Sequence, residues 1–254
     1  MINVKIVSAF CRDGLGGNKA GVVTDAGNLT EDDMQRIASE LGFSETAFIM
    51  PSDKADYRVR YFTPVSEVPL CGHATIAAFS LIKRNCTIET DSGILNILYE
   101  NGTIFMEQNM PEFYQIIRDG DLPVQVVSTG LKDIMLPFES PSDLFSYAPD
   151  FEAIKEQSRK EEVIGIHAFA LSSEEGIDAV CRNFAPLYGI NEESATGTSN
   201  CALAGYLAKY HEKKDTYIFN QGDSLGQPSQ IIVRLNDDSI YVGGKAVLLK
   251  EMLI

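Results

Sequence analysis

Basic residues are scarce in this 254-residue chain: 21 Lys and Arg stand against 36 Asp and Glu, a formal net charge of −15. A surface so weighted to one sign disfavours nucleic acid and anionic membrane surfaces as partners. An anionic small molecule stays open, because a single site can be locally positive. Cysteine is sparse and unpatterned. The five cysteines, at positions 11, 71, 86, 181 and 201, contain no C-x-x-C pair. An odd, scattered set with no secretory leader points to a reducing, cytoplasmic setting. The opening MINVKIVSAF has a strand pattern rather than a basic segment with a cleavage site. No apolar run approaches the length of a membrane span. The Gly-rich loop DGLGGNKAG lacks the Lys-Ser/Thr ending of a phosphate loop and opens no helix, so it gives a phosphate cradle little support.

What is present is an ordinary globular composition, 44% hydrophobic and 22% charged, and a duplication. RYFTPVSEVPLCGHATIAAFSLIK, from Arg60, is matched half a chain later by RNFAPLYGINEESATGTSNCALAGYLAK, from Arg182. Each copy opens Arg-x-Phe-x-Pro, passes an acidic residue, reaches Gly72 or Gly197, and enters a small, apolar stretch. Two copies of one strand–loop–helix unit predict two similar halves, each presenting a helix N-terminus that favours anions. The expected domains are residues 1–113 and 114–254, with the final strand free to return to the first. Segment 111–125, with two prolines and an Asp-Gly-Asp turn, is the expected boundary.

The remaining pattern is mostly strands. LTEDDMQRIASELG is an amphipathic helix capped by Thr30 and stopped by Gly42. GHATIAAFSLIKRN is a buried helix, and DFEAIKEQSRKE a polar one. PVQVVST is a strand, followed by a loop containing Pro137, Pro141 and Pro149. SIYVGGKAVLLKEML closes the chain as a strand. The fold class expected is α+β: two similar domains, each a curled mixed sheet around one central helix.

Chemistry concentrates at a few positions. If Gly72 starts a helix, the N–H groups of Gly72, His73 and Ala74 are left over at its positive end and suit a carboxylate. Gly and Ala there also allow tight packing. Gly197, Thr198 and Ser199 repeat the arrangement, and Thr198 or Ser199 could equally be a simple cap. Cys71, beside a helix N-terminus, is either a reactive thiol or a small buried apolar residue. A metal site at Cys71 and His73 lacks further ligands at plausible spacing, so none is expected. His73 in a first helical turn is disfavoured as a cation and useful as a neutral donor or base. His167 falls in an apolar strand as a satisfied core residue, and His211 at the C-terminal end of the second helix. Glu45 sits among Phe43, Ala47, Phe48 and Ile49. Such company raises a carboxyl pKa and suits proton transfer, unless the side chain reaches water.

Taken together, GGNKAGVV, LGFSETAFI, YFTPVSEVPLCGHATIAA and NFAPLYGINEESATGTSNCALA resemble the PhzF-like isomerases of phenazine biosynthesis, which share their fold with diaminopimelate epimerase. LKDIMLPF and the DFEAIKEQSRK helix are similar to that family's middle segment, so the resemblance spans nearly the whole chain. It implies an active site between two domains, no metal or organic cofactor, and a homodimer. The family's proton-moving Glu falls on Glu45, its Gly-His pair on Gly72 and His73, and its second acid and serine on Glu193 and Thr198. Asn18, Ser44, Cys71, Ala74, Gly197 and Ser199 then fall among the expected substrate contacts. Glu193-Ser194 replaces the family's Asp-Pro, Thr198 its Ser, and Lys19 the Pro of a Gly-Asn-Pro turn. The epimerase relatives pair two cysteines as acid and base. Here Cys71 takes the first place and Thr196 the second, which argues against two-thiol racemisation. The function expected is cofactor-independent proton transfer on a small carboxylic acid. The alternatives are a binding protein without turnover, or a Cys71-dependent racemase.

Overall fold

A computed structural model describes all 254 residues and resolves them into two compact units, residues 1–107 with 243–254 and residues 108–242. The first unit runs β1 (Asn3–Ala9), β2 (Asn18–Val23), α1 (Glu31–Leu41), β3 (Thr46–Met50), β4 (Tyr57–Phe62), β5 (Glu67–Val68), α2 (Gly72–Ile82), β6 (Cys86–Thr90), β7 (Gly93–Glu100) and β8 (Thr103–Gln108). The chain continues as β9 (Glu112–Arg118), β10 (Val124–Ser128), β11 (Lys132–Phe138), α3 (Pro141–Ser146), α4 (Phe151–Glu161), β12 (Gly165–Leu171), β13 (Ala179–Ala185), β14 (Ile190–Glu193), α5 (Gly197–Tyr210), β15 (Thr216–Gln221), β16 (Ser229–Leu235), β17 (Ile240–Gly244) and β18 (Ala246–Leu253). The class is α+β, a few helices on curled mixed sheets.

The pairing of the two units is the same, strand for strand. In the first, β1 joins β2 antiparallel, β2 joins β3 parallel, and β3 joins β4 antiparallel. β4 then meets β5 antiparallel at its end and β6 parallel at its start. In the second, β10, β11, β12, β13, β14 and β15 repeat each of these relations in order. The outer strands also correspond, since β18 flanks β1 as β9 flanks β10.

Each sheet is covered on two faces. α2 is buried from His73 through Phe79, and α5 at Gly197 and from Ser199 through Leu207. Helices apolar on all sides can only be central. On the other face of the first sheet, Met34, Ile37 and Ala38 of α1 join Val4, Ile6, Val23, Phe48 and Phe62 in one cluster. In the second unit Leu144 of α3 and Ile154 of α4 pack with Val126, Ile134, Ile166 and Phe184. The capping box of Thr30 with Asp33 starts α1, and Gly42 ends it at φ +67°.

The duplicated Arg and acid form a scaffold. Arg60 grips Glu67 with Nε and Nη2, both at 2.6 Å, and its guanidinium lies 5.1 Å over the Phe62 ring. Arg182 grips Glu192 at 2.9 and 2.8 Å and lies 4.9 Å over Phe184. Arg182 also donates to the carbonyls of Leu144 and Tyr147, which ties α3 to the sheet. The repeated motif is thus a bidentate, aromatic-stacked clamp that holds β4 to β5 and β13 to β14.

Four local expectations need correction. The segment around Pro137 is strand β11, parallel to β12, rather than a loop. β10 covers β11 only from Lys132 to Met135, so Pro137 removes no donor from that ladder. Pro141 opens helix α3 at its first turn, with Ser140 as cap. The expected boundary segment contains strand β9, and the closing strand is two, β17 and β18.

The Arg182–Glu192 side chains are 8% and 9% exposed, against 17% and 24% for Arg60–Glu67. Glu192→Ala strands a buried guanidinium and is expected to cost about 3 kcal/mol or more in urea unfolding, with Glu67→Ala costing clearly less. Equal losses would contradict the ranking.

Candidate active site

Four of the expected residues come together in the first unit. Gly17, at φ +81°, turns the chain into β2, and a Cβ there would stand 2.4 Å from the Ala9 carbonyl oxygen. Only glycine satisfies both the dihedral and the close approach. Asn18 follows, buried as the first residue of β2, with its side-chain nitrogen 3.3 Å from His73 Nδ1. Glu45 lies immediately before β3, and its carbonyl accepts from the Gly21 N–H, extending the parallel β2–β3 pairing by one residue. Its Oε2 is buried without a hydrogen-bond partner and lies 3.3 Å from His73 Nε2. Cys71 Sγ is 3.4 Å from His73 Nδ1. Ser44, next to Glu45, is exposed.

Burial of His73 holds its imidazole below the ordinary value, although the Glu45 carboxylate pulls the other way. A neutral ring with its Nδ1 facing the Asn18 amide donor carries its hydrogen on Nε2, directed to the Glu45 side. Asn18 therefore selects the tautomer.

The helix starts differ in kind. Helices α1, α3 and α4 begin with a side-chain cap, from Thr30, Ser140 and Asp150. The central helices α2 and α5 begin at Cys71 and Thr196 with no side-chain cap and no acid in the first turn. Their first-turn N–H groups and positive dipole ends are left for an anion. Inside the first turn, Thr75 Oγ1 and Asn200 Nδ2 each bond back to the N-cap carbonyl, at 2.7 Å in both helices. Gly72 and Ala74 therefore offer backbone donors rather than side chains.

In the second unit Glu193 ends β14, half-buried, with its carbonyl accepting from Gln221. Thr198 is half-buried, and its carbonyl accepts from Thr129. The Ser199 hydroxyl turns inward and donates to Asp133 Oδ2 at 2.6 Å, so its backbone N–H is what it can offer a ligand. Thr196, opposite number to Cys71, bonds Gln221 through its hydroxyl at 3.0 Å.

Asp133, Asn183 and His167 form a buried network around Ser199 that the sequence did not disclose. Asn183 lies 3.3 Å from His167 Nδ1 and 3.3 Å from Ser199 Oγ. His167 was expected to be a satisfied core residue, but its Nε2 has no hydrogen-bond partner. By strand register, these positions are Ala20, Ala47, Ala74 and Tyr61 in the first unit. The apolar strand pattern of GIHAFAL hid the network, and only the Asp in an otherwise apolar LKDIMLPF hinted at it. A surface hollow beside α1, lined by Asp32, Gln35, Arg36, Ser39, Glu40 and Pro64, shares no residue with either cluster.

The fold is of an epimerase-like kind. A hydroxyproline epimerase from Agrobacterium vitis has the same fold, with a TM-score of 0.66 at 10% identity over 99% of this chain and 90% of that one. The model of the PhzC–PhzF family, phenazine biosynthesis-like protein, matches residues 7–252, and the chain belongs to that family. An uncharacterised isomerase of Clostridium acetobutylicum is 35% identical over 97% of this chain and 95% of its own length. A PhzF-family phenazine biosynthesis protein of Bacillus anthracis superimposes with a TM-score of 0.89 at 33% identity, over 100% of this chain and 99% of that one. The enzyme class these relatives represent is isomerase.

Burial raises the Asp133 carboxyl from 3.8 to about 6, with Ser199 and the Gly165 N–H pulling it partway back. Burial lowers the His167 imidazole from 6.5 to about 4, against a smaller pull from Asn200. As pH falls from 6.5 to 4, the unfolded chain protonates His167 first, which removes stability. From about 6 to 3.8 the folded chain protonates Asp133 first, which adds it. Each contribution is about 3 kcal/mol, so the two offset. Asp133→Asn is expected to lose stability as pH drops through this window, and His167→Gln to gain it. Urea midpoints across the window check both signs; slopes equal to wild type in both variants would refute the account.

Proposed function

We propose that the chain is a cofactor-independent isomerase that moves a proton on a small carboxylic acid, with Glu45 as acid and base. One observation carries the reading: the buried, unbonded Glu45 Oε2 beside a neutral, desolvated His73. A carboxylate oxygen whose lone pairs are not consumed by hydrogen bonds is available to a proton on carbon. His73, its hydrogen on Nε2, supports the carboxylate when charged and accepts no proton itself at neutral pH. The substrate carboxylate takes the uncapped first turn of α2, where Gly72, His73 and Ala74 supply N–H donors. Glu45 removes a proton from one carbon and returns it to another, so no net proton leaves. Glu193 and Thr198 keep the roles that the family resemblance implies for them. The same reading takes the enzyme as a cytoplasmic homodimer acting on a small-molecule carboxylate.

A thiol-based reading is favoured by the 3.4 Å approach of Cys71 Sγ to His73 Nδ1. It lacks a second base, because the matching position carries Thr196, whose hydroxyl is engaged by Gln221.

Solvent-deuterium incorporation into unsaturated cyclic and amino carboxylic acids provides the assay. Glu45→Gln is expected to lower exchange by about 10²–10⁴-fold with unchanged unfolding, and full activity in that variant would overturn the assignment. Cys71→Ala is expected to retain exchange; its loss there, with Glu45→Gln active, would transfer the role to the thiol.

A further inference from the structure

The turn after β15 grasps the bend that joins β14 to α5. Gln221, the last residue of β15, is 1% exposed, and its amide spans that bend. Nε2 donates to the Glu193 carbonyl at 2.8 Å. Oε1 accepts from the Thr196 N–H at 3.3 Å, the Thr196 hydroxyl at 3.0 Å and Asn200 Nδ2 at 2.8 Å. Two of these partners are a backbone carbonyl and a backbone N–H, whose roles are fixed, so only one orientation of the amide serves both. Gly222 follows at φ +83°, and a Cβ there would stand 2.7 Å from the Ser194 carbonyl oxygen. Ser224 donates its hydroxyl to Glu192. One turn thus holds Glu192, Glu193, Ser194 and Thr196.

We propose that Gln221 is a positioning residue of the isomerase: it acts through Glu193, by fixing the backbone from which that second acid projects. The proposal rests on the isomerase reading and extends it to a residue with no chemistry of its own.

The bend needs such a brace. β14 has only four residues, and its register with β13 shifts between Asn183 and Ala185, so the ladder constrains Glu193 weakly. Ser194 lacks the fixed φ of a proline. The long Glu193 side chain magnifies any change in backbone direction at its carboxyl. Deleting the amide leaves the Glu193 carbonyl and the Thr196 N–H without the partner that joins them. The first unit solves the same problem differently. By strand register the counterpart of Gln221 is Thr90. Its hydroxyl donates to the Gly93 carbonyl and accepts from the Ser92 N–H, within its own turn. Glu45 is placed by the sheet, since its carbonyl accepts from the Gly21 N–H. The first acid takes its backbone position from a ladder, and the second from a side chain.

The test is a double-mutant cycle in the deuterium-exchange assay. Gln221→Met keeps the length of the side chain and removes both ends of the brace. Gln221→Glu keeps the oxygen that faces Thr196 and removes the donor to Glu193. Each is expected to lower kcat about 10–100-fold with KM within about threefold. In a Glu193→Gln background the same changes are expected to lower kcat by about twofold or less, because the acid they act through is gone. Equal losses in both backgrounds would mark a general structural role and overturn the proposal. Unchanged kcat in Gln221→Met, or full activity in Glu193→Gln, overturns it as well. Thr90→Ala, at the matching place in the first unit, is expected to leave kcat unchanged, and a loss there equal to that of Gln221→Met counts as a refutation. Circular dichroism checks folding, and either Gln221 variant carries the cycle if the other does not fold. The placement is also read without activity. The Thr196 amide is expected to exchange hydrogen at least about tenfold faster in Gln221→Met, with Leu207 of the same helix unchanged. Unchanged exchange at Thr196 overturns the brace. A wild-type chain that incorporates deuterium into no acid counts against the isomerase reading, and the Thr196 measurement then still decides whether Gln221 holds the bend.

Discussion

The organisation of the first unit depends on burying a helix on every side. A helix with no solvent face must consist of small and apolar residues, as α2 does with Ala74, Ala77 and Ala78 fully enclosed. Its starting N–H groups then have no side chain to cap them. That leaves a fixed positive end inside the protein, beside which His73 is held neutral and Glu45 finds an electrostatic counterpart. The chemistry of the site follows from how the helix is packed.

The duplication separates what the two units share from what only one of them carries. Both units keep the Arg–acid–Phe clamp, the uncapped central helix and the side chain that bonds back to the N-cap carbonyl. They part at the residues with chemistry. Where the first unit has Glu45, the second has Gly165, and a Cβ there would sit 1.9 Å from the Phe184 carbonyl oxygen. No side chain can be accommodated without moving β13, so the second unit has no counterpart of the Glu45 carboxylate. The first unit has an apolar lining of Ala20, Ala47 and Ala74 where the second buries Asp133, His167 and Ser199. One half sets a buried carboxylate oxygen beside a neutral imidazole, and the other buries a polar network whose His167 Nε2 has no hydrogen-bond partner.

The sequence revealed the duplication, the helices α1, α2, α4 and α5, and the identity of the residues now found around His73. Those signals are local: caps, glycine stops, helical spacing and repeated motifs. What it did not show was carried by pairing. Lys132–Phe138 contains Pro137 and read as a loop, and its strand character comes from the parallel partner β12. Glu112–Arg118 lay inside the segment read as a boundary, between two prolines, and is a strand because β10 pairs with it. His167 read as an ordinary core residue because the Asp133 and Asn183 that meet it lie on neighbouring strands. Asn18 and Glu45 were visible individually, while their convergence on His73 depends on the parallel register of β2 with β3.

The return of the chain at β18 has a consequence for assembly. Asn3 of the first strand pairs with Leu253, and Ile2 and Ile254 exchange two backbone hydrogen bonds. The first unit is thus sealed by a strand synthesised after the whole second unit. Until then β1 has an open edge and a covering strand not yet made, although the whole second unit has already been synthesised. Closing contacts across such a separation is entropically slow, which favours the second unit as the earlier to become native. The half that carries Glu45 is then the later to mature, and its carboxylate is set beside His73 only after the second unit has formed.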